Sequence, residues 1–224
     1  MRLEWPALGF AMISYASWTG TRRNLKGLQS AGWRLLMSPD TLRRCRGKTY
    51  PLWPDGTAAP FALDNGAWGC FQRGDLFDAD RFRWALQTVG DRANWVVMPD
   101  AVGDAPRTLA MAREWWPELE GYHVLFAVQD GMAPADVLPW VERGAGIFIG
   151  GGTEWKLATA PQWVQLAHSY GKICHMGRVN TIGRIRYCKR IGIDSVDGTR
   201  ATRWGDDLPR LDREFRQLSL FGGE

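Results

Sequence analysis

Val124-Leu125-Phe126-Ala127-Val128-Gln129, followed after an interval long enough for a helix by Gly146-Ile147-Phe148-Ile149-Gly150, is the stretch on which the fold turns. Each segment is a short, nearly unbroken apolar run that stops at a polar residue or a glycine, as a strand covered on both faces does. Working outward, the same pattern recurs at Phe10-Ser14, Arg34-Ser38, Phe61-Asp64 and Trp95-Asp100 before it, and at Lys172-Met176 and Ile193-Asp197 after it, eight segments in all. Helical periodicity lies between them. In Asp78-Val89, residues Phe82, Ala85, Leu86 and Val89 fall on one face behind an Asp78 cap, and Asn180-Ile191 turns Ile182 and Ile185 inward. Strand and helix alternate with no linker, repeat or low-complexity break, which predicts an α/β fold: a single (β/α)8 barrel of the TIM type without a zinc subdomain. The barrel is expected over residues 1–205, with a C-terminal helix and tail over 206–224.

A chain of 224 residues that is 45% apolar can bury one sizeable core but not two comfortable ones. The start Met1-Arg2-Leu3-Glu4-Trp5-Pro6 lacks the charged-then-apolar pattern of a signal peptide, and no apolar run approaches the roughly 18 residues needed to cross a bilayer. A soluble, cytoplasmic protein is expected. Cys45, Cys70, Cys174 and Cys188 are far apart and form no Cys/His cluster with zinc spacing, so free thiols and no metal are expected. A net charge of +4 is compatible with a nucleic-acid partner without demonstrating one.

In such a barrel the chemistry sits where the strands end, because the C-terminal strand ends surround one mouth. The expected strand ends carry Asp64, Asp100, Gln129, Gly150, Gly151, Met176 and Asp197. Taken singly, each has an ordinary reading. Asp64-Asn65-Gly66 is a strong turn signal, Gly150-Gly151-Gly152 could simply relieve crowding, and Met176 could be core. His123, His168 and His175 are scattered and read as structural.

Taken in order, the set resembles the tRNA-guanine transglycosylases, and more closely their shorter relatives, the deoxypurine-in-DNA protein A family, which place 7-deazaguanines into DNA. The family's Asp-Ser-Gly-Gly motif is matched by Asp64-Asn65-Gly66-Ala67, and its guanine-reading aspartate by Asp100 in Val97-Met98-Pro99-Asp100. Its Gln-Gly motif is matched by Gln129 and its Ile-Gly-Gly site by Ile149-Gly150-Gly151, while Met176-Gly177 answers its Met-Gly strand end. Its nucleophile strand, Gly-x-Asp-x-x-Asp, is Gly192-Ile193-Asp194-Ser195-Val196-Asp197, followed by Thr202-Arg203 of its Pro-Thr-Arg. The matches run from Phe61 to Arg203. The transglycosylases' Cys/His zinc site and tRNA-binding insertions have no counterpart, and a second family arginine falls near Asp206.

The resemblance implies base exchange without metal or redox cofactor. Asp197 would trap the sugar as a glycosyl-enzyme and Asp64 would move protons to the leaving base and from the entering one. Asp100 suits guanine's N1–H and 2-amino donors, Gln129 and the Gly150-Gly151 backbone suit its O6, and Met176 would pack on its flat face. The target base must be flipped out or single-stranded, so phosphate contacts are expected from Lys156, Arg178, Arg200 and Arg203. They belong to a basic rim that also holds Arg22, Arg23, Lys26, Arg43, Arg44, Arg46 and Lys48, interleaved with Trp18, Tyr50, Trp53, Trp68 and Trp155. Its alternative is a solvated charged face with the tryptophans in the helix layer. Gln217-Leu218-Ser219-Leu220-Phe221 resembles the peptide by which bacterial replication proteins bind the sliding clamp, or else completes the last helix. Expected partners are therefore DNA, a free 7-deazaguanine base such as 7-cyano-7-deazaguanine, and the clamp, in a bacterium or a phage-infected host. A tRNA-guanine transglycosylase and a non-catalytic nucleic-acid-binding barrel are the competing readings.

Overall fold

The structure, a computed structural model, describes residues 12–45 and 51–217. Eight parallel strands close into one barrel in sequence order: β1 (Ile13–Ser17), β2 (Arg34–Met37), β3 (Phe61–Leu63), β4 (Val96–Val97), β5 (Val124–Val128), β6 (Gly146–Ile149), β7 (Cys174–Met176) and β8 (Ser195–Gly198). Closure is made by β1 against β8, with Ile13 opposite Ser195 and Tyr15 opposite Asp197. Closing the sheet removes both of its edges, so no row of unpaired backbone groups is left to template association.

Alternation along each strand sorts the apolar side chains into two layers. Tyr15, Leu36, Ala62, Trp95, Val97, Leu125 and Ala127 fill the barrel interior, with Phe148 and Ile173 against them. Their neighbours in sequence, such as Leu35, Met37, Leu63, Val96, Phe126, Ile149, Met176 and Val196, face outward into the helix layer. The interior is a packed plug of rings: Trp95 lies 5.1 Å from Tyr15 and 4.7 Å from His175 between centroids. Nothing passes through it, so the only place for chemistry is one end.

The helices cap as their sequences suggest. In α4 (Ala79–Val89), Asp78 accepts a hydrogen bond from the Arg81 N–H, and Phe82, Ala85, Leu86 and Val89 are buried, as predicted. In α8 (Ile182–Ile191), Thr181 caps the Arg184 N–H and Ile185 and Cys188 are buried, with Ile182 partly so. The expected C-terminal helix is α10 (Leu208–Arg216), and it completes the outer layer. Phe215 meets Trp33 edge-on at 5.1 Å, the Trp33 indole N–H donates to Asp212 at 3.0 Å, and Arg186 on α8 grips Glu214 through two bonds of 3.0 Å. Leu218 to Phe221 lie outside the described residues, as do Phe10, Ala11, Arg46, Lys48 and Tyr50. No helix among the described residues is long and apolar enough to cross a membrane.

Candidate active site

The C-terminal ends of β3 to β8 carry one connected polar network. The Asn65 amide donates to one oxygen of Asp100 at 2.6 Å, and the Gln129 amide donates to the other at 2.6 Å. Gln129 Oε1 in turn accepts the backbone N–H of Gly103 and that of Gly151, both at 3.1 Å. The Gly151 carbonyl accepts from the Arg178 guanidinium, and the Arg178 backbone N–H donates to Asp197 Oδ1 at 3.3 Å. Residues far apart in sequence thus form a continuous chain of contacts around the mouth. Asp64 belongs to the same cluster: burial first, then the Asp197 and Asp100 charges, raise its carboxyl to about 7. Burial raises Asp100 to about 6 against the lowering effect of its Asn65 and Gln129 donors.

Local backbone explains the glycines. Gly151 has φ +65°, and a Cβ there would stand 2.6 Å from Asp130 and 2.7 Å from the Trp155 ring. A side chain at Gly177 would meet the Phe148 ring at 2.9 Å, which is why the chain can pass so close over the plug. The next residue, Arg178, is the only non-glycine with positive φ among the described residues, at 60°. Such a conformation persists only where surroundings hold it. Here Asp197 takes its N–H, the Arg184 guanidinium reaches its carbonyl at 3.4 Å, and the Lys156 ammonium holds the preceding Gly177 carbonyl at 2.7 Å. The Arg178 guanidinium lies 4.4 Å above the Trp68 ring, crossing the mouth from the β7 end to the helix that follows β3, α3 (Ala67–Arg73).

Asp64, Asp100, Gln129, Gly150, Gly151 and Asp197 meet at one place, while two other expected contacts, Met176 and Lys156, and the structural reading of His175 do not stand as the sequence suggested. Met176 lies outside the barrel wall, fully buried, with its sulfur 3.4 Å from the Cys188 thiol of α8, so it presents no surface to the mouth. Strand parity is the reason: His175 takes the inward place. Lys156 is 3% exposed and serves Gly177, so it makes no phosphate contact; burial, then the Arg178 charge, lower its ammonium to about 8. His175, read as structural, reaches Asp197 Oδ1 with Nε2 at 3.1 Å and Ser195 Oγ with Nδ1 at 2.8 Å.

Of the rim, Arg203 is exposed, Arg200 pairs with Asp207 at 2.6 Å and Arg23 pairs with Asp206 at 3.1 Å. Trp53 is buried and Trp155 packs on Trp163, so these two belong to the core, whereas Trp68 is exposed beside Arg178. Asn65, 3% exposed, is a member the sequence reading passed over as a turn residue. His168 and Asp194, 2.9 Å apart, brace the opposite end of the barrel, where Asp194 also takes the Cys174 N–H. No cluster of metal-ligating residues occurs among the described residues.

Fold and site together define a (β/α)8 barrel with an acidic, hydrogen-bonded mouth. No protein-family model and no curated protein matches this chain.

Proposed function

We propose that the protein exchanges guanine in DNA for a 7-deazaguanine through a glycosyl-aspartate intermediate. The observation that carries this reading is the convergence of three carboxylates from β3, β4 and β8 on one amide-lined mouth, with Asp64 sensing the charge of both others. Such a concentration of acid is costly to bury without a task.

Guanine suits this lining. Asp100, raised only to about 6, is largely ionised at neutral pH and can accept from N1–H and the 2-amino group. Guanine entry replaces the Gln129–Asp100 bond, freeing the Gln129 amide to donate to O6. Adenine would set an acceptor against Asp100, a mismatch that is expensive in a buried site.

In the reaction, Asp197 attacks C1′ as the C1′–N9 bond breaks, and the bonding pair leaves with the base. Asp64 in its protonated form supplies the proton that the departing guanine takes up; a carboxyl near 7 holds a useful fraction of both forms at neutral pH. The incoming 7-deazaguanine then returns a proton to Asp64 as its N9 displaces the Asp197 carboxylate, so two inversions preserve the anomer. DNA, rather than tRNA, is taken as the polymer because the ordered motifs resemble the deoxypurine-in-DNA protein A family more closely. Arg203 and Arg200, both exposed on the short helix that follows β8 (Arg200–Arg203), are the phosphate contacts this reading retains.

The test is incubation of the protein with a guanine-containing single-stranded DNA, with the matching RNA, and with labelled guanine or 7-cyano-7-deazaguanine, followed by nucleoside mass spectrometry. Label should enter DNA, and Asp197→Ala should abolish incorporation. Incorporation into RNA alone would transfer the reading to tRNA; no exchange on either polymer, with binding retained, would leave a non-catalytic binding barrel.

A further inference from the structure

Beneath Asp197 lies a polar pair that base exchange does not by itself require. Ser195 and His175 are both 0% exposed and sit opposite each other across the β7–β8 ladder, among Tyr15, Trp95 and Phe148. Burying a hydroxyl and an imidazole in this plug of rings is unfavourable unless both are satisfied. Each is satisfied, and through them so is Asp197: Ser195 Oγ to His175 Nδ1 is 2.8 Å, and His175 Nε2 to Asp197 Oδ1 is 3.1 Å.

The atom types are those of a hydrolytic Ser-His-Asp triad, but the order in space is inverted. Asp197 stands two residues further along β8 than Ser195, toward the mouth, and the serine is sealed below it. The serine therefore has no substrate to attack, and the carboxylate is the outward end. An ionised carboxylate can only accept, so Nε2 carries the ring hydrogen, and Nδ1 accepts from the Ser195 hydroxyl.

Both hydrogen bonds that Asp197 receives from the described residues, from His175 and from the Arg178 N–H, end on Oδ1. Among those residues no hydrogen bond ends on Oδ2, which leaves it as the oxygen without a donor there. We propose that His175, fixed in one tautomer by Ser195, is a positioning residue that pins Asp197 through Oδ1 and presents Oδ2 as the atom that bonds to C1′. This rests on the reading of Asp197 as nucleophile. In the step, Oδ2 gains the bond to C1′ while the C1′–N9 pair departs with the base; the ring hydrogen stays on Nε2 throughout, and its bond to Oδ1 restrains the carboxylate. The charged or titratable groups around the ring are Asp197 and Asp194 from the β8 segment, Lys156 from α7 (Thr153–Ser169) and the Tyr15 phenol from β1. Burial holds the imidazole below its ordinary range, and the Asp197 carboxylate opposes that shift.

The experiment has two arms on the full chain. In the first, ring 15N spectra of the free protein at neutral pH should show His175 as the Nε2–H tautomer. A cationic ring, or an Nδ1–H tautomer, would overturn the proposal whatever the enzyme's activity. In the second, His175→Leu should lower kcat for exchange on the order of 100-fold with the KM for the free base little changed. Loss of a donor to the charged form should also move the acid limb of the pH profile upward by about one unit. His175→Gln, which keeps an amide donor, should recover much of both, and Ser195→Ala should shift the limb the same way. An unchanged acid limb in folded His175→Leu and Ser195→Ala would sink the proposal while leaving the base-exchange reading intact. Absence of exchange in the wild type would remove that reading, and the spectra would still judge the tautomer.

Discussion

Asp64 carries a thermodynamic cost that can be read without any substrate. Its carboxyl lies near 7 in the folded protein, because burial and two neighbouring carboxylates disfavour the charge, against 3.8 as the ordinary value. The folded state therefore binds this proton more tightly than the unfolded state. Its stabilising effect is complete below the ordinary value, shrinks as pH rises, and is gone above the folded value. Asp64→Asn, permanently neutral, should match the wild type near pH 4 and exceed it progressively up to pH 7, by on the order of a few kcal/mol, with a constant gap above. Urea unfolding at a series of pH values measures this, and a gap independent of pH would refute the assigned cause. The carboxylates themselves were legible as strand ends. The residues that hold them were not equally so. Met176 and His175 exchange places because side chains alternate along a strand, and His175 could have been found by stepping back two residues from the inward Gly177, as Ser195 could from Asp197. Lys156 was legible too: with Ala160, Trp163, Val164 and Ala167 it occupies the buried stripe of α7, where a phosphate contact is impossible.

At the level of elements, apolar runs disclose where strands lie better than where they stop. The run Phe10-Ala11-Met12-Ile13-Ser14 suggested an earlier β1, but pairing of Tyr15 with both Arg34 and Asp197 sets the strand at Ile13–Ser17. The expected Trp95-Asp100 strand contracts to Val96–Val97: the Met98 N–H still bonds Leu125, but Pro99 has no N–H with which to continue the ladder. That early end lets Asp100 turn from the strand direction to meet Asn65 and Gln129. The last helix tests the same logic of packing. Phe215 is 7% exposed and anchors α10 on Trp33, so Phe215→Ala should cost about 3–5 kcal/mol by chemical denaturation, the range for a large ring lost from a core. A loss below about 1 kcal/mol would mean that α10 rides on the barrel without stabilising it.

Across the whole molecule, the order of the eight strands and their closure were contained in the alternation of the sequence, since parallel strands joined by helices have few other ways to bury both faces. The partners within the mouth were not, because which amide faces which carboxylate depends on the register of strands distant in sequence. Surface charge divides likewise into exposed and internal. On the proposed function, Arg203→Ala should lower the salt dependence of DNA binding by about one unit of slope in a plot of log affinity against log salt. Lys156→Ala should leave that slope unchanged and reduce stability instead, because its ammonium holds the Gly177 carbonyl from inside. Fluorescence anisotropy across a salt series distinguishes the two, and a reduced slope for Lys156→Ala would return that lysine to the surface. The chain of bonds from Asn65 through Asp100, Gln129, Gly151 and Arg178 to Asp197 has one more implication. A lining whose donors and acceptors are already matched to one another greets a visitor as a rival, and admission is a swap of equals; calorimetry of an entering base should therefore record modest heat, however many new contacts the complex displays.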